Sequence, residues 1–123
     1  MVENILTALN YSAEGGDISP FLNFLKREMR KGHIFNNYSY YSGKPIDEAE
    51  SAAVYALACQ LFEAVGEKEY ADLSYTKMLD FQIDEGTLKG GFGDAQSQTV
   101  YAFDQLECLK AIRMREGNNE KGK

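Results

Sequence analysis

The chain has 123 residues, of which 44% are hydrophobic and 12% aromatic, and this composition is typical of one globular domain that can bury a core. Its formal net charge of -6 comes from 19 acidic and 13 basic residues, which form no long run of either sign. Binding to phosphate backbones needs a basic surface, so we expect no nucleic-acid partner.

The start of the chain lacks the features of a secretory leader. No basic stretch followed by an apolar stretch comes after Met1, and no apolar run approaches the roughly 20 residues that a membrane helix needs. We therefore expect no membrane partner and a cytoplasmic location for the chain as it stands, with export left open for a longer parent protein.

Few residues are of the types that bind metals or act as nucleophiles. Cys59 and Cys108 lie in apolar helical patterns without metal-ligand spacing, which predicts buried free thiols and no metal site. His33, the only histidine, follows a glycine in a loop, which favours a surface residue over a catalytic base. No cofactor is expected.

The first two predicted helices differ in their distribution of apolar residues. One begins at a Ser-Pro start signal at 19–20, carries a single apolar stripe and ends at Gly32. The second runs from about 47 to 65, with acidic residues in its first turn. Between 52 and 62 its only strongly polar residue is Gln60, so this helix is apolar on all sides.

Two more helices are predicted. The third, 67–83, is amphipathic, and the fourth, about 95–115, has apolar residues at helical spacing. We expect residues 1–17 and 116–123 to be poorly ordered. The sequence thus predicts a single all-α domain, 1–123, of two αα-hairpins with four main helices.

Two stretches of the chain resemble each other. ESAAVYAL at 50–57 aligns with QSQTVYAF at 96–103, 46 positions later, and the two share Ser, Val, Tyr and Ala. Each unit consists of an amphipathic helix, a loop with Gly and aromatic residues, and a more apolar helix. A period in the forties with two helices per unit is typical of stacked hairpins, which cannot bury their apolar faces alone.

The apolar second helix needs cover on every side. In an α/α toroid an inner ring of apolar helices is walled by an outer ring of amphipathic helices, but two hairpins do not close a ring. Either the chain is a self-contained four-helix bundle, or another chain covers an exposed flank. We expect a homo-oligomer, with the contact made by residues of the second or fourth helix: Val54, Leu57, Leu61, Val100 and Phe103.

The motifs ESAAVYALA and GGFGDAQSQTVYAFDQLECL carry a family resemblance. With the rest of 33–114 they resemble the C-terminal hairpins of six-hairpin glycosidases, most nearly the family 8 glycoside hydrolases and their relatives in Gram-positive bacteria. The resemblance implies a partial α/α toroid, roughly the last third of such an enzyme. That family has its general-acid Glu and catalytic Asp in earlier segments with no counterpart here, which implies an incomplete catalytic site.

Glycoside hydrolysis needs two carboxyl groups about 5 to 9.5 Å apart, one of them held protonated. The candidates are Asp47, Glu48 and Glu50 at the predicted start of the second helix and Asp94 at that of the fourth. These positions correspond in the repeat, which places them at one end of the hairpins. The alternative is that the acids complement helix dipoles. Asp104, within an apolar pattern, is a weaker candidate that we otherwise expect on an exposed face.

Aromatic residues in the same loops suggest sugar contacts. Tyr38, Tyr40, Tyr41 and Phe92 have rings that could stack on sugar faces, or that could instead cap the core. GGFGD lacks the features of a phosphate loop, and we interpret it as a tight connector bordering a cleft.

The sequence therefore predicts a carbohydrate-related, glycosidase-like helical unit with an oligosaccharide as a partner. The alternatives are a helical self-association or protein-interaction module without catalytic activity, and a small hydrolase that uses Asp94 with Glu48 or Glu50.

Overall fold

The computed structural model describes the backbone of residues 1–121 and the side chains of residues 1–117. Within this part the chain is all-α and built as helical hairpins, with one short antiparallel strand pair. The elements, in chain order, are α1 (Val2–Ala13), α2 (Ser19–Lys31), α3 (Ala52–Ala64), α4 (Lys68–Leu79), β1 (Gly93–Asp94), β2 (Thr99–Val100) and α5 (Ala102–Lys121).

Helix α3 is the centre of the core. Its sequence is rich in Ala and Leu and contains no Gly or Pro, which favours an uninterrupted helix. The hydroxyl of Ser51 accepts a hydrogen bond from the Val54 N–H at 3.3 Å and caps its N-terminus. Every residue from Ala52 to Phe62 is buried, because α3 packs against α1, α4 and α5.

Helix α1 covers part of α3, although no helix was predicted in this segment. Residues 1–17, expected to be poorly ordered, contain this 12-residue helix. Ile5 is 0% exposed and Ala8 is nearly buried, and both belong to the core cluster around α3. The Met1 ammonium also donates to the Asn36 carbonyl oxygen at 2.8 Å, so the segment is fixed at its first residue.

The burial of α3 corrects the expected oligomer contact. Val54, Leu57 and Leu61 are at most 1% exposed within a single chain, so the prediction that they meet a second copy is wrong. The exposed apolar flank lies instead on α5, where Phe103 is 43% exposed. Helices α1, α4 and α5 together bury α3, which is why no further chain is needed to cover it.

The predicted end of α2 is confirmed. Gly32 takes a left-handed conformation with φ of 104°, as is typical of a residue that follows a helix.

Helix α4 ends at Leu79 rather than at Ile83. After Leu79 the chain pairs with the glycine-rich segment at 90–93. The Ile83 N–H donates to the Gly91 carbonyl oxygen at 2.7 Å, and Gln82 and Phe92 form an antiparallel β-bridge.

Helix α3 begins later than the predicted residue 47. The Asn36 N–H donates to the Ala49 carbonyl oxygen at 2.7 Å, and Tyr38 and Pro45 form an antiparallel β-bridge. Residues 36–49 therefore form a projecting hairpin that leads into α3, and the predicted first-turn acid Glu48 lies outside the helix.

Helix α5 also begins later than expected, at Ala102 rather than at about residue 95. The Asp94 Oδ1 atom accepts hydrogen bonds from the backbone N–H groups of Gln96 and Ser97, which stabilises a turn in place of a helix. The resulting strand pair places Gly93 opposite Val100 and Asp94 opposite Thr99. At its other end α5 reaches Lys121, so it includes part of the expected tail at 116–123, whose last two residues lie outside the described part.

Candidate functional site

A cleft of about 530 Å³ lies at the N-terminal end of α3. It is bordered by the end of α4, the β1–β2 turn and the start of α5. Its lining is rich in acids and hydroxyls: Glu50, Ser51, Ala52, Asp80, Phe81, Gln82, Gly93, Asp94, Ala95, Ser97, Thr99, Tyr101 and Asp104. None of these lining residues is Lys, Arg or His, so the cleft presents negative charge and hydrogen-bond acceptors.

Two of the candidate acids, Glu50 and Asp94, both lie in the lining of the cleft. Glu50 lies just before α3 and its side chain is 26% exposed. Its Oε1 atom accepts hydrogen bonds from the Tyr55 hydroxyl and from His33 Nδ1, the latter at 2.8 Å. Burial is the largest influence and raises the pKa of Glu50, but these two hydrogen bonds together with charge interactions with His33 and Lys77 outweigh it, and the pKa lies below its ordinary value.

Asp94 is exposed at the β1–β2 turn. Hydrogen bonds from the Ser97 side chain and from the backbone of Gln96 and Ser97 lower its pKa. The neighbouring Gly93 is required there, because a Cβ atom would lie 2.2 Å from the Thr99 carbonyl oxygen. The GGFGD segment is thus a tight connector, and its last two residues border the cleft.

Asp104, the weaker candidate, has a structural contact. Its Oδ2 atom accepts a hydrogen bond from the Ala53 N–H at 3.2 Å, so a carboxylate of α5 helps to cap α3. It is half-buried rather than on a fully exposed face.

The lowered pKa values decide what this pair of acids can do. Glu50 and Asp94 are both ionised at neutral pH, and an ionised carboxylate only accepts hydrogen bonds. A glycosidase acid instead needs a carboxyl group whose pKa is raised so that it keeps its proton. The pair is therefore suited to accepting hydrogen bonds from hydroxyl groups.

The aromatic candidates lie elsewhere. Tyr38 packs edge-on against Phe24, and burial raises its pKa to about 12. Phe92 is 5% exposed, in the core, while Tyr40 and Tyr41 are almost fully exposed in the projecting hairpin. None of these four residues, nor Glu48, is among the residues that line the cleft.

The aromatic rings that do line the cleft are those of Phe81 and Tyr101. Tyr101 is 67% exposed, while Tyr55, its equivalent in the sequence repeat, is completely buried. The sequence repeat did not predict this difference in exposure, because it aligns Tyr55, which lies within α3, with Tyr101, which lies before the start of α5. The turn-forming Asp94 was the sequence signal for a late start of α5.

No cluster of three or more His, Cys, Asp or Glu side chains in the described part of the chain is arranged to hold a metal ion. Nor does that part contain a helix with the length and apolar character needed to cross a membrane. Cys59 and Cys108 are buried free thiols, as predicted.

The fold resembles that of a solved structure described as a novel alpha-amylase from Clostridium perfringens. The match has a TM-score of 0.87 and 26% sequence identity, and it covers 92% of this chain and 35% of that one. The fold is glycosidase-like.

A curated protein from Bacillus subtilis (strain 168), named "Putative lipoprotein YdaJ", is 28% identical over 116 residues. The match covers 92% of this chain and 32% of the Bacillus protein. The chain thus spans about a third of the length of each of these two proteins. No protein-family model matches it.

Proposed function

We propose that this chain is a carbohydrate-binding helical unit of a glycosidase-like protein, nearest to the family 8 glycoside hydrolases, without a complete catalytic site of its own. The observation that carries the proposal is the acidic cleft between the hairpins, with Glu50 and Asp94 on its lining. The glycosidase-like fold supports it.

The chemistry of the cleft favours neutral sugars. Ionised carboxylates accept hydrogen bonds from sugar hydroxyls, and the rings of Phe81 and Tyr101 offer apolar faces for the C–H side of a pyranose. The same negative charge repels anionic ligands such as uronic acids or phosphosugars. Neutral oligosaccharides of glucose are therefore the substrate class we propose, and the description of the Clostridium neighbour as an alpha-amylase favours α-glucans among them.

The binding claim is tested by amide chemical-shift mapping. We expect millimolar α-1,4-linked or β-1,4-linked glucose oligosaccharides to perturb residues 50–52, 80–82 and 93–101 and to leave 1–13 unchanged. Asp94→Asn should weaken binding, while the matched change Asp84→Asn, outside the cleft lining, should not. An absence of shifts with both linkages, or equal shifts with an oligogalacturonide, would contradict the proposal.

The incomplete catalytic site is tested separately. We expect the chain by itself to release no reducing sugar from α-glucans or β-glucans, since Glu50 and Asp94 are both ionised at neutral pH. Hydrolysis that is lost in Asp94→Asn would overturn this part of the proposal and support an active small hydrolase.

The proposed parent is a longer, exported protein that contributes the missing part of the site. It is supported by the two matched proteins, each about three times as long as this chain, and by the word lipoprotein in the name of the Bacillus protein. Reading the coding sequence upstream of Met1 tests it: an in-frame continuation with further hairpins is the expected result, and a stop codon without one would contradict it.

A second candidate function, self-association, is favoured by the outer face of α5. Phe103, Leu106 and Leu109 are 43%, 52% and 56% exposed, on the side of the helix away from α3. Burying each large apolar side chain contributes roughly 1.5–3 kcal/mol, which is enough for a second copy to dock there.

Sedimentation equilibrium at micromolar concentration tests self-association. We expect a homodimer or higher oligomer, which Leu106→Glu on α5 should dissociate, while the control Leu73→Glu on α4 should leave it intact. A single species at the monomer mass of 13.8 kDa would refute it.

A further inference from the structure

Glu50 is connected to two residues outside the cleft lining. Tyr55 lies one helical turn further along, inside α3, and His33 lies in the loop that follows α2. Both donate a hydrogen bond to the same atom, Glu50 Oε1. The other carboxylate oxygen, Oε2, makes no hydrogen bond with the described residues. One side of the carboxylate is thus fixed by the protein, and the other is left for a ligand.

Tyr55 is held so that its proton is directed to Glu50. The side chain is 0% exposed, and its hydroxyl oxygen accepts a hydrogen bond from the Ile34 N–H at 3.0 Å. With that lone pair occupied, the hydroxyl donates to Glu50. Burial and the bond to Glu50 raise the pKa of Tyr55, so this proton stays on the hydroxyl at any working pH. The Tyr55 ring also lies 6.0 Å from that of Phe81, which lines the cleft.

His33 is held from the other side. Its ring stacks on Phe35, with centroids 5.5 Å apart and planes 18° from parallel. Because an ionised carboxylate has no proton to donate, His33 Nδ1 carries the proton of the 2.8 Å hydrogen bond. The side chain is 49% exposed, so it can be changed with little effect on the core.

We propose that Tyr55 and His33 are positioning residues that hold the Glu50 carboxylate in one orientation, so that its Oε2 atom accepts a hydrogen bond from a neutral sugar hydroxyl. This inference rests on the proposed carbohydrate binding. Neither donor is itself a lining residue of the cleft: Tyr55 lies within α3 and His33 in the loop after α2. An oriented acceptor binds more strongly because no rotamer freedom is lost when the sugar arrives.

The charged and titratable groups around Glu50 are consistent with this role. Apart from Tyr55 and His33, they are Lys77 of α4, which lowers the Glu50 pKa, Tyr38 of the projecting hairpin, and the cleft acids Asp80, Asp94 and Asp104. Burial opposes ionisation of Glu50, and the two hydrogen bonds, the charge interaction with His33 and Lys77 favour it. Removing a donor should therefore shift both the titration of Glu50 and the affinity for the sugar.

The test uses Tyr55→Phe and His33→Ala, with His33→Asn as the conservative variant and Tyr11→Phe on α1 as the matched control. The Glu50 carboxyl is titrated by its side-chain ¹³C shift, and affinity for a glucose oligosaccharide is measured by amide shifts. Wild type should titrate below the ordinary value of 4.5. Tyr55→Phe and His33→Ala should each raise that midpoint and weaken binding about tenfold, because a hydrogen bond to a charged group is lost.

His33→Asn should recover part of both effects, and Tyr11→Phe should change neither. Circular dichroism shows whether Tyr55→Phe still folds, and the His33 variants keep the test decisive if it does not. An unchanged Glu50 midpoint in the folded variants would overturn the positioning role. So would unchanged sugar affinity in variants whose midpoint has risen.

Failure of the proposed function gives a different result. If wild type binds no sugar, the carbohydrate proposal falls, while the Glu50 titration in the same variants still decides whether Tyr55 and His33 hold this carboxylate.

Discussion

The Oδ2 atom of Asp104 lies 3.2 Å from the backbone nitrogen of Ala53, so a side chain near the start of α5 caps the start of α3. Ser51 satisfies a second N–H of the same helix end. Helices α3 and α5 are thereby tied together at the edge of the cleft. A carboxylate near a helix N-terminus also complements the helix dipole.

Replacing Asp104 tests the importance of this contact. Asp104→Ala should lower the free energy of unfolding by about 1 kcal/mol, the usual effect of losing an N-terminal capping group. Asp104→Asn keeps an acceptor and should lose less. Urea denaturation measures both, with Asp84→Ala in the exposed loop after α4 as control. A loss as large in the control would mean that the cap contributes nothing specific.

A pair of leucines tests the central position of α3. Leu57→Ala should lower the free energy of unfolding by about 2–5 kcal/mol, because Leu57 is 0% exposed and shortening it opens a cavity in the core. Leu109→Ala on the outer face of α5 should cost about 0.5 kcal/mol or less in the monomer, since that side chain is 56% exposed. Urea denaturation at low protein concentration compares the two, and similar costs would contradict the packing.

Arg115 ties α5 to both α3 and α4. Its guanidinium donates to Glu63 at 2.8 Å and to Asp72, and it lies 4.7 Å from the centre of the Tyr75 ring. Arg115→Met should destabilise the fold by about 1.5–3 kcal/mol through lost hydrogen bonds to charged groups.

The control is Arg113→Met, an exposed arginine of the same helix, which we expect to change stability by less than about 0.5 kcal/mol. Thermal and urea unfolding should agree on the order of the two variants. The bridging role would be ruled out if Arg113→Met were the more damaging change.

The two cysteines should be unreactive while the protein is folded. Burial raises the pKa of Cys59 and of Cys108 to about 12, and the thiolate is the reactive form. A thiol reagent at pH 8 should modify neither cysteine in the native protein and both in 6 M guanidinium. Because the thiols ionise only near pH 12, raising the pH from 7 to 9 should not expose a fast-reacting thiol. Rapid native labelling would show that α3 or α5 opens readily.

Local patterns in the sequence predicted the existence of four helices but not all of their limits. The stop of α2 at Gly32 was predictable, because a glycine with positive φ after a basic last turn is a local signal. The starts of α3 and α5 were not, since each depends on backbone pairing with another segment: Asn36 with Ala49, and Gly93 with Val100. Helix α1 was missed because its order comes from packing on α3.

The candidate site shows the same division. The repeat offset aligns Asp94 with Glu48, two positions before Glu50, and it did not indicate that Glu50 rather than Glu48 lines the cleft. The sequence did not predict which aromatic residues line the cleft. Phe92 is buried and Tyr101 is exposed because of the path of the chain through the β1–β2 turn, which lies between them.

The sequence by itself determined the helical class, the two-helix period and the two thiols in apolar helices, because these follow from residue type and spacing along one segment. Tertiary structure decided which helix covers α3, where the apolar flank lies and how Glu50 is held. Those features join residues distant in the chain, such as His33 with Glu50 and Asp104 with Ala53, and a hydrogen bond between distant segments exists only once the core has brought them together.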